Sequence, residues 1–222
     1  MELQYRAILF DNDGTLVNTE KVVLEAFHTA TSEVLGYNPP DEEMLSMVGM
    51  AIDAQMARFT DDPEKRHELA KIYRARTAEV HDDLAQLYPD VAPALAELKN
   101  RGFRMALVTS KAKSVAEHGL EHFGIREYFD VVIAGEDSEK HKPDPQPLCI
   151  AAERIGAPLS ECVYVGDSPF DMEAAHNAPM TSVEALWGFF KRADVERFDP
   201  CYYCEKFADL TKLPIFRECK SC

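Results

Sequence analysis

The stretch Phe10-Asp11-Asn12-Asp13-Gly14-Thr15-Leu16 decides how the rest of the chain is read. It follows Ala7-Ile8-Leu9-Phe10, an unbroken apolar run of the kind that forms a parallel strand buried on both faces. Two carboxylates stand two residues apart just past the strand end, and period-two spacing points Asp11 and Asp13 the same way while the chain stays extended. Gly14 then allows a sharp change of direction. Paired carboxylates on one side of a strand end suit a hard cation such as Mg²⁺. They equally suit a division of labour in which one attacks and the other trades protons. Asp-Asn-Asp-Gly is also ordinary turn chemistry, so the stretch taken alone leaves a solvated turn open.

Outward from this stretch the chain changes rhythm twice. Residues 15 to about 85 read as all-helical, with no convincing strand. Asn18 to Leu35 carries Val22, Val23, Ala26, Phe27, Ala30 and Val34 at helical spacing, with Gly36 as a stop. Asp41–Val48 and Ala51–Phe59 read as short helices, and Pro63 opens a longer one. After Tyr88-Pro89, helices alternate with apolar strands at 104–109, 130–135, 162–166 and 181–186. That alternation predicts an α/β fold whose parallel sheet is covered on both faces and binds ligands at the carboxyl ends of its strands.

The 222 residues are 46% apolar, enough to bury a substantial core. The formal charge of −15 argues against a nucleic-acid backbone or an anionic membrane as partner. It does not exclude an anionic substrate, because a bound metal reverses the local field. No apolar run reaches membrane-span length and Met1–Arg6 lacks a signal-peptide core, so the expected location is cytoplasmic.

Each predicted strand ends in chemistry. Asp11 and Asp13 follow the first, Thr109 and Ser110 the second, and Asp167, Ser168 and Asp171 the fourth. Lys140, His141 and Lys142 lie in the loop after Ile133. Singly, Thr109 reads as a strand-end hydroxyl, Lys142 as a surface lysine and Asp167-Ser168 as a helix cap. In a parallel sheet they converge on one edge, and that set suits phosphoryl transfer, which needs positioning and charge neutralisation. A metal at Asp11 and Asp167, the Lys142 charge and the Thr109 hydroxyl would cover the phosphate oxygens.

These four motifs resemble those of the haloacid dehalogenase superfamily, in the group with an α-helical cap inserted after the first motif. The matching stretches are 10–16, Val108-Thr109-Ser110, Lys142-Pro143-Asp144-Pro145, and Val165-Gly166-Asp167-Ser168 through Asp171. The resemblance implies a Rossmann-like core from residues 1–14 and 86–222 and a helical cap at 15–85. It implies Asp11 as nucleophile and Asp13 as general acid/base. Thr109, Ser110 and Lys142 would bind phosphate, and Asp167 would hold Mg²⁺ beside Asp11 and the backbone carbonyl of Asp13. Asp171 would support that site from behind. Leu186-Trp187-Gly188-Phe189 is similar to a segment of the phosphoglycolate phosphatase-like branch, which implies a small phosphorylated metabolite as substrate, although the segment is expected to lie outside the chemistry. The family often has glycine where Pro179 stands. A phosphomutase would use the same aspartyl phosphate, whereas a dehalogenase leaves Asp13 without a use. Arg58, Lys65 and Arg74 are the candidate anion contacts from the helical segment.

The region 199–222 is cysteine-rich. Cys201-x-x-Cys204 and Cys219-x-x-Cys222 are separated by 14 residues, close to the ligand pattern of a structural Zn²⁺ site. On that pattern the chain could instead be a binding or regulatory module. The alternative is an edge strand at Tyr202-Tyr203-Cys204 followed by a closing helix at 207–213. Cys149 and Cys162 read as inert core residues.

Overall fold

The computed structural model describes residues 5–216. In chain order the elements are β1 (Ala7–Phe10), β2 (Val17–Asn18), α1 (Glu20–Leu35), α2 (Asp41–Leu45), α3 (Ile52–Met56), α4 (Pro63–Leu84), β3 (Gln86–Leu87), α5 (Val91–Asn100) and β4 (Arg104–Val108). They continue with α6 (Lys113–His122), β5 (Val131–Ile133), α7 (Gln146–Ile155), β6 (Cys162–Gly166), α8 (Pro169–Asn177), β7 (Thr181–Ala185), α9 (Arg192–Val195) and β8 (Tyr202–Cys204).

The main sheet is parallel throughout, in the order β5-β4-β1-β6-β7-β8. β1 is central, which is why its apolar run is unbroken. Ile8 and Phe10 join one core cluster, with Leu95 and Leu98 of α5 and Leu120 of α6. Ala7 and Leu9 join the other, with Leu148 and Ile155 of α7 and Ala174 of α8. The strand alternation feeds both faces, and no position is left for a polar side chain. The sheet order brings the carboxyl ends of β4, β1 and β6 side by side.

The helices between β2 and β3 build an apolar cluster of their own. Val23, Phe27, Met44, Met56 and Leu69 are among its buried members, and Phe189 packs against it from the far end of the chain. α1 presents Val22, Val23, Ala26, Phe27 and Ala30 inward and stops at Gly36, whose φ of 77° closes the helix in the left-handed conformation. α4 starts where Asp62 accepts hydrogen bonds from the Glu64 and Lys65 amides with Pro63 in the first turn.

Three expectations need correction. Residues 15–85 are not wholly helical: Val17–Asn18 pairs antiparallel with Gln86–Leu87, and the Tyr88 amide donates to Leu16 O at 3.1 Å. The two chain crossings run side by side, so each satisfies the other's backbone groups, a reason no single-segment pattern carries. The closing helix is a 3₁₀ run, Phe207–Lys212, and the short helices at 41 and 52 are only a turn or so long. Tyr202–Cys204 is the parallel edge strand. Pro179 has a φ of 21°, on the positive side that glycine holds easily and the proline ring opposes. Among the described residues no helix is long and apolar enough to cross a membrane.

Candidate active site

β1 delivers Asp11 directly. The Asp11 amide continues the ladder by donating to Val165 O at 2.9 Å, so its carboxylate is aimed from a fixed strand end. The chain then turns back, with Asn12 O accepting from the Leu16 and Val17 amides at 2.9 and 3.0 Å. Gly14 at φ 80° makes this turn, and a Cβ there would lie 2.1 Å from Asp167 Oδ2. Only glycine lets the β1 loop approach the β6 carboxylate this closely.

Lys142 reaches the same point from the loop before α7. Its ammonium is 2.7 Å from Asp11 Oδ1 and 2.7 Å from Asp171 Oδ1, with the side chain almost wholly buried. The Tyr164 hydroxyl donates to Asp171 Oδ1 at 2.7 Å, and the Ser168 amide donates to Asp171 Oδ2 at 3.1 Å. Ser168 and Asp171 thereby form the capping box of α8. Burial opposes the charge on Lys142, but Asp11 and Asp171 outweigh it and hold the ammonium protonated beyond its ordinary range. Asp11 is pushed up to about 7, by burial first and by the neighbouring carboxylates, against the pull of Lys142.

Asp13 has a different environment. Burial would raise it, yet Lys111, with Nζ 2.7 Å from Asp13 Oδ1, and a hydrogen bond donated by the Thr19 hydroxyl bring it below the usual carboxylate range. Two carboxylates two residues apart are thus driven in opposite directions. Sequence reasoning missed Lys111. Its signal was position alone: it is the next residue after Thr109-Ser110 on the same strand-end loop. The Thr109 hydroxyl accepts from the Lys111 amide at 3.2 Å. The Ser110 hydroxyl donates to Gly49 O at 2.8 Å, linking the loop after β4 to the helical segment.

Asp167 is 1% exposed. It accepts from the Phe189 amide at 2.8 Å and, more weakly, from the Thr15 hydroxyl at 3.4 Å. Trp187 Nε1 donates to Thr15 O at 2.9 Å, and a Cβ on Gly188 would lie 2.3 Å from Asp167 Cβ. The 186–189 segment, expected to lie outside the chemistry, is therefore a wall of the site. Parallel pairing of β7 beside β6 delivers it there.

Carboxylate oxygens of Asp11, Asp167 and Asp171 lie within 4.8 Å of one another, all buried. Burial, followed by the charges of Asp171 and Asp11, holds Asp167 well above the normal range. Three buried carboxylates with a single lysine among them form an all-oxygen cluster that fits a hard divalent cation. Asp171 already accepts from Lys142, Tyr164 and Ser168, which leaves Asp11 and Asp167 as the carboxylates to face it.

Asp11 and Asp13 open into a cavity of about 440 Å³, also lined by Thr109, Ser110, Lys111, His141, Gln55, Tyr73 and Arg74. Of the three anion contacts expected from the helical segment, Arg74 lines this cavity and Arg58 and Lys65 do not.

The tail does not present a zinc site within the described residues. Cys204 is 2% exposed in the core cluster beside Phe207, and burial pushes its thiol up to about 12, the reverse of the thiolate a zinc ion takes. Cys201, just before this short strand, is exposed; Cys219 and Cys222 lie outside the described residues. Cys162 is buried and Cys149 half-buried on α7.

The sequence profile of the haloacid dehalogenase-like hydrolases matches residues 8–185. The chain belongs to this family. It is therefore an enzyme of the hydrolase class. A PpaX protein of Caldanaerobacter subterraneus subsp. tengcongensis is 35% identical over 211 residues, 95% of each chain. The pyrophosphatase PpaX of Bacillus mycoides KBAB4 is 32% identical over 213 residues, 96% of this chain and 97% of that one. Among solved structures, a predicted phosphoglycolate phosphatase from Haemophilus somnus 129PT superposes with a TM-score of 0.88 at 25% identity, over 96% of this chain and 99% of the other. In this haloacid dehalogenase-like hydrolase the four strand-end motifs lie at one sheet edge.

Proposed function

We propose that this hydrolase is a Mg²⁺-dependent phosphatase that removes a phosphoryl group from a small compound through an aspartyl phosphate at Asp11. The observation that carries the reading is the sharing of one cavity by Asp11, Asp13, Thr109 and Lys111, with the Lys142–Asp171 pair behind Asp11. Mg²⁺ would be held by Asp11, Asp167 and the backbone carbonyl of Asp13, and it would supply positive charge against the phosphate oxygens.

The chain's own residues divide the work. Lys142 fixes the Asp11 carboxylate and adds a point charge beside it. An Asp11 oxygen attacks phosphorus, and the leaving oxygen departs with a proton that Asp13, ionised in the free site, relays to it from the substrate's phosphate monoanion. Asp13, ionised again, takes a proton from water. That water attacks the phosphorus of the aspartyl phosphate, releasing phosphate and restoring Asp11. Thr109 and the backbone amides of its loop hydrogen-bond the phosphoryl oxygens, and Ser110 keeps the loop attached to Gly49.

Residues 15–85 act as the cap in this reading. β2 and β3 are its two connections, and their pairing makes a narrow ribbon on which the helices can swing. Arg74, on the α4 wall of the cavity, favours a substrate with a second anionic group. Pyrophosphate, the substrate implied by the name of the PpaX relatives, and phosphoglycolate, implied by that of the structural neighbour, both carry one; a simple sugar phosphate does not.

The test is a panel of pyrophosphate, phosphoglycolate, glucose 6-phosphate and an aryl phosphate, run with Mg²⁺ on the wild type and on Arg74→Ala. Higher kcat/KM for the first two, lost by about tenfold in Arg74→Ala while aryl phosphate turnover holds, supports the reading. No hydrolysis of any phosphate compound overturns it.

A further inference from the structure

One helical turn beyond Thr77, which lines the cavity, α4 ends in a second cluster that the reaction above does not use. His81 and Asp82 belong to α4. His118 and His122 stand on α6, and the i,i+4 spacing places both imidazoles on one helix face. Asp82 Oδ1 lies 3.0 Å from His81 Nδ1, 2.9 Å from His118 Nε2 and 3.6 Å from His122 Nδ1. The ligand atoms of His81, Asp82 and His118 all fall within 4.8 Å of one another. A tetrahedral ion with metal–nitrogen bonds of about 2.05 Å separates its ligand atoms by about 3.3 Å, close to the spacing found around Asp82.

The surroundings hold the imidazoles in place. His81 is 3% exposed. A Cβ on Gly119 would come within 3.3 Å of the His81 ring, so glycine is what lets α6 lie against it. Phe123 packs edge-on to His122 with ring centroids 4.8 Å apart. His118 is half-exposed, which leaves an approach from solvent.

We propose that His81, Asp82, His118 and His122 form a binding site for a divalent transition metal of the zinc type, and that the ion fastens α4 to α6. Three borderline imidazole donors beside a single carboxylate suit Zn²⁺ rather than Mg²⁺. The location gives the ion a consequence. α4 carries Tyr73, Arg74 and Thr77 on the cavity wall, and α6 follows directly on the loop of Thr109 and Lys111. An ion shared by the two helices restrains the swing of the helical segment and slows turnover. This second half rests on the cap reading above; binding itself does not.

The experiment titrates Zn²⁺ calorimetrically, and Co²⁺ by its visible absorption, into the full chain with millimolar Mg²⁺ present to occupy the oxygen site. The wild type, the His118→Ala/His122→Ala double variant and Asp11→Asn are compared, with circular dichroism reporting their folds. The expected result is one equivalent of Zn²⁺ and an intense tetrahedral Co²⁺ spectrum in the wild type and Asp11→Asn. The double variant binds on the order of 100-fold more weakly and keeps its basal Mg²⁺ turnover, but is no longer slowed by Zn²⁺. Equal Zn²⁺ affinity in the wild type and the double variant, or no wild-type binding, overturns the site. Tight binding that leaves turnover unchanged overturns the fastening of α4 to α6.

Discussion

The Lys111 ammonium lies 2.7 Å from Asp13 Oδ1, and this contact sets the charge of the carboxylate assigned to proton transfer. With Lys111 removed, burial becomes the dominant influence on Asp13 and its pKa rises. Lys111→Met is expected to move the acid limb of the kcat/KM profile upward and to lower activity at pH 7 by about 10- to 100-fold. A pH–rate series on both proteins checks this, and an unmoved acid limb removes Lys111 from the role.

Asp11 and Lys142 should respond differently to substitution although they touch. Asp11→Asn keeps an acceptor for Lys142 and retains the fold, but the amide cannot attack phosphorus, so turnover falls by about 10⁴ or more. Lys142→Met strands the Asp11 and Asp171 carboxylates in the interior, a loss of roughly 3–5 kcal/mol. That loss shrinks as pH falls, because the stranded Asp11 carboxylate becomes protonated. Urea unfolding at pH 5 and pH 8 measures the difference; a pH-independent loss contradicts the burial argument.

Gly188 bears on the cation site through contact with Asp167. A Cβ at Gly188 would sit 2.3 Å from Asp167 Cβ, so Gly188→Ala must displace either the loop or the carboxylate. Chelation is expected to stop turnover in the wild type and Mg²⁺ to restore it. In Gly188→Ala the Mg²⁺ concentration for half-activation should rise on the order of tenfold. Full activity of metal-stripped wild type in excess chelator would sink the assignment.

Glu184 on β7 is wholly buried, and both carboxylate oxygens lack a hydrogen-bond partner among the described residues. Burial first, then Asp171 and Asp194, raises its pKa from 4.5 to about 9. Between those values the folded chain keeps a proton that the unfolded chain has released, so this residue makes stability fall as pH rises through that window. Glu184→Gln removes the titration and should gain up to about 3 kcal/mol at pH 8 relative to pH 5, from about 1.4 kcal/mol per unit discounted for relaxation. Paired melting temperatures at the two pH values test it; an equal shift at both speaks against a buried neutral carboxyl.

Asp11, Asp13, Thr109, Lys142, Asp167 and Asp171 were legible in the sequence because each follows or flanks an apolar strand. Parallel topology collects strand ends on one edge whatever the loops do. The helical segment was legible from its 3.6-residue period, but the β2–β3 ribbon was not, since two residues on each side carry no period. Lys111 was missed because nothing local distinguishes a lysine that meets a carboxylate from one that meets water. For Cys204 the sequence left a zinc ligand and an edge strand both open, because Cys-x-x-Cys spacing says nothing about which face of an edge strand a sulfur occupies; the strand is what forms.

What the sequence by itself determined is therefore the order of strands and helices and the chemistry placed at each strand end, both properties of short-range pattern. Only the tertiary structure decided that Lys111 meets Asp13 while Lys142 meets Asp11, and that the Phe189 amide closes on Asp167. The same holds for Glu184, sealed without a hydrogen-bond partner among the described residues, and for His118 and His122 brought against His81. Each of these joins separate elements, most of them far apart in the chain. Their approach is set by how whole helices and strands pack, a cooperative outcome that no local run of residues encodes.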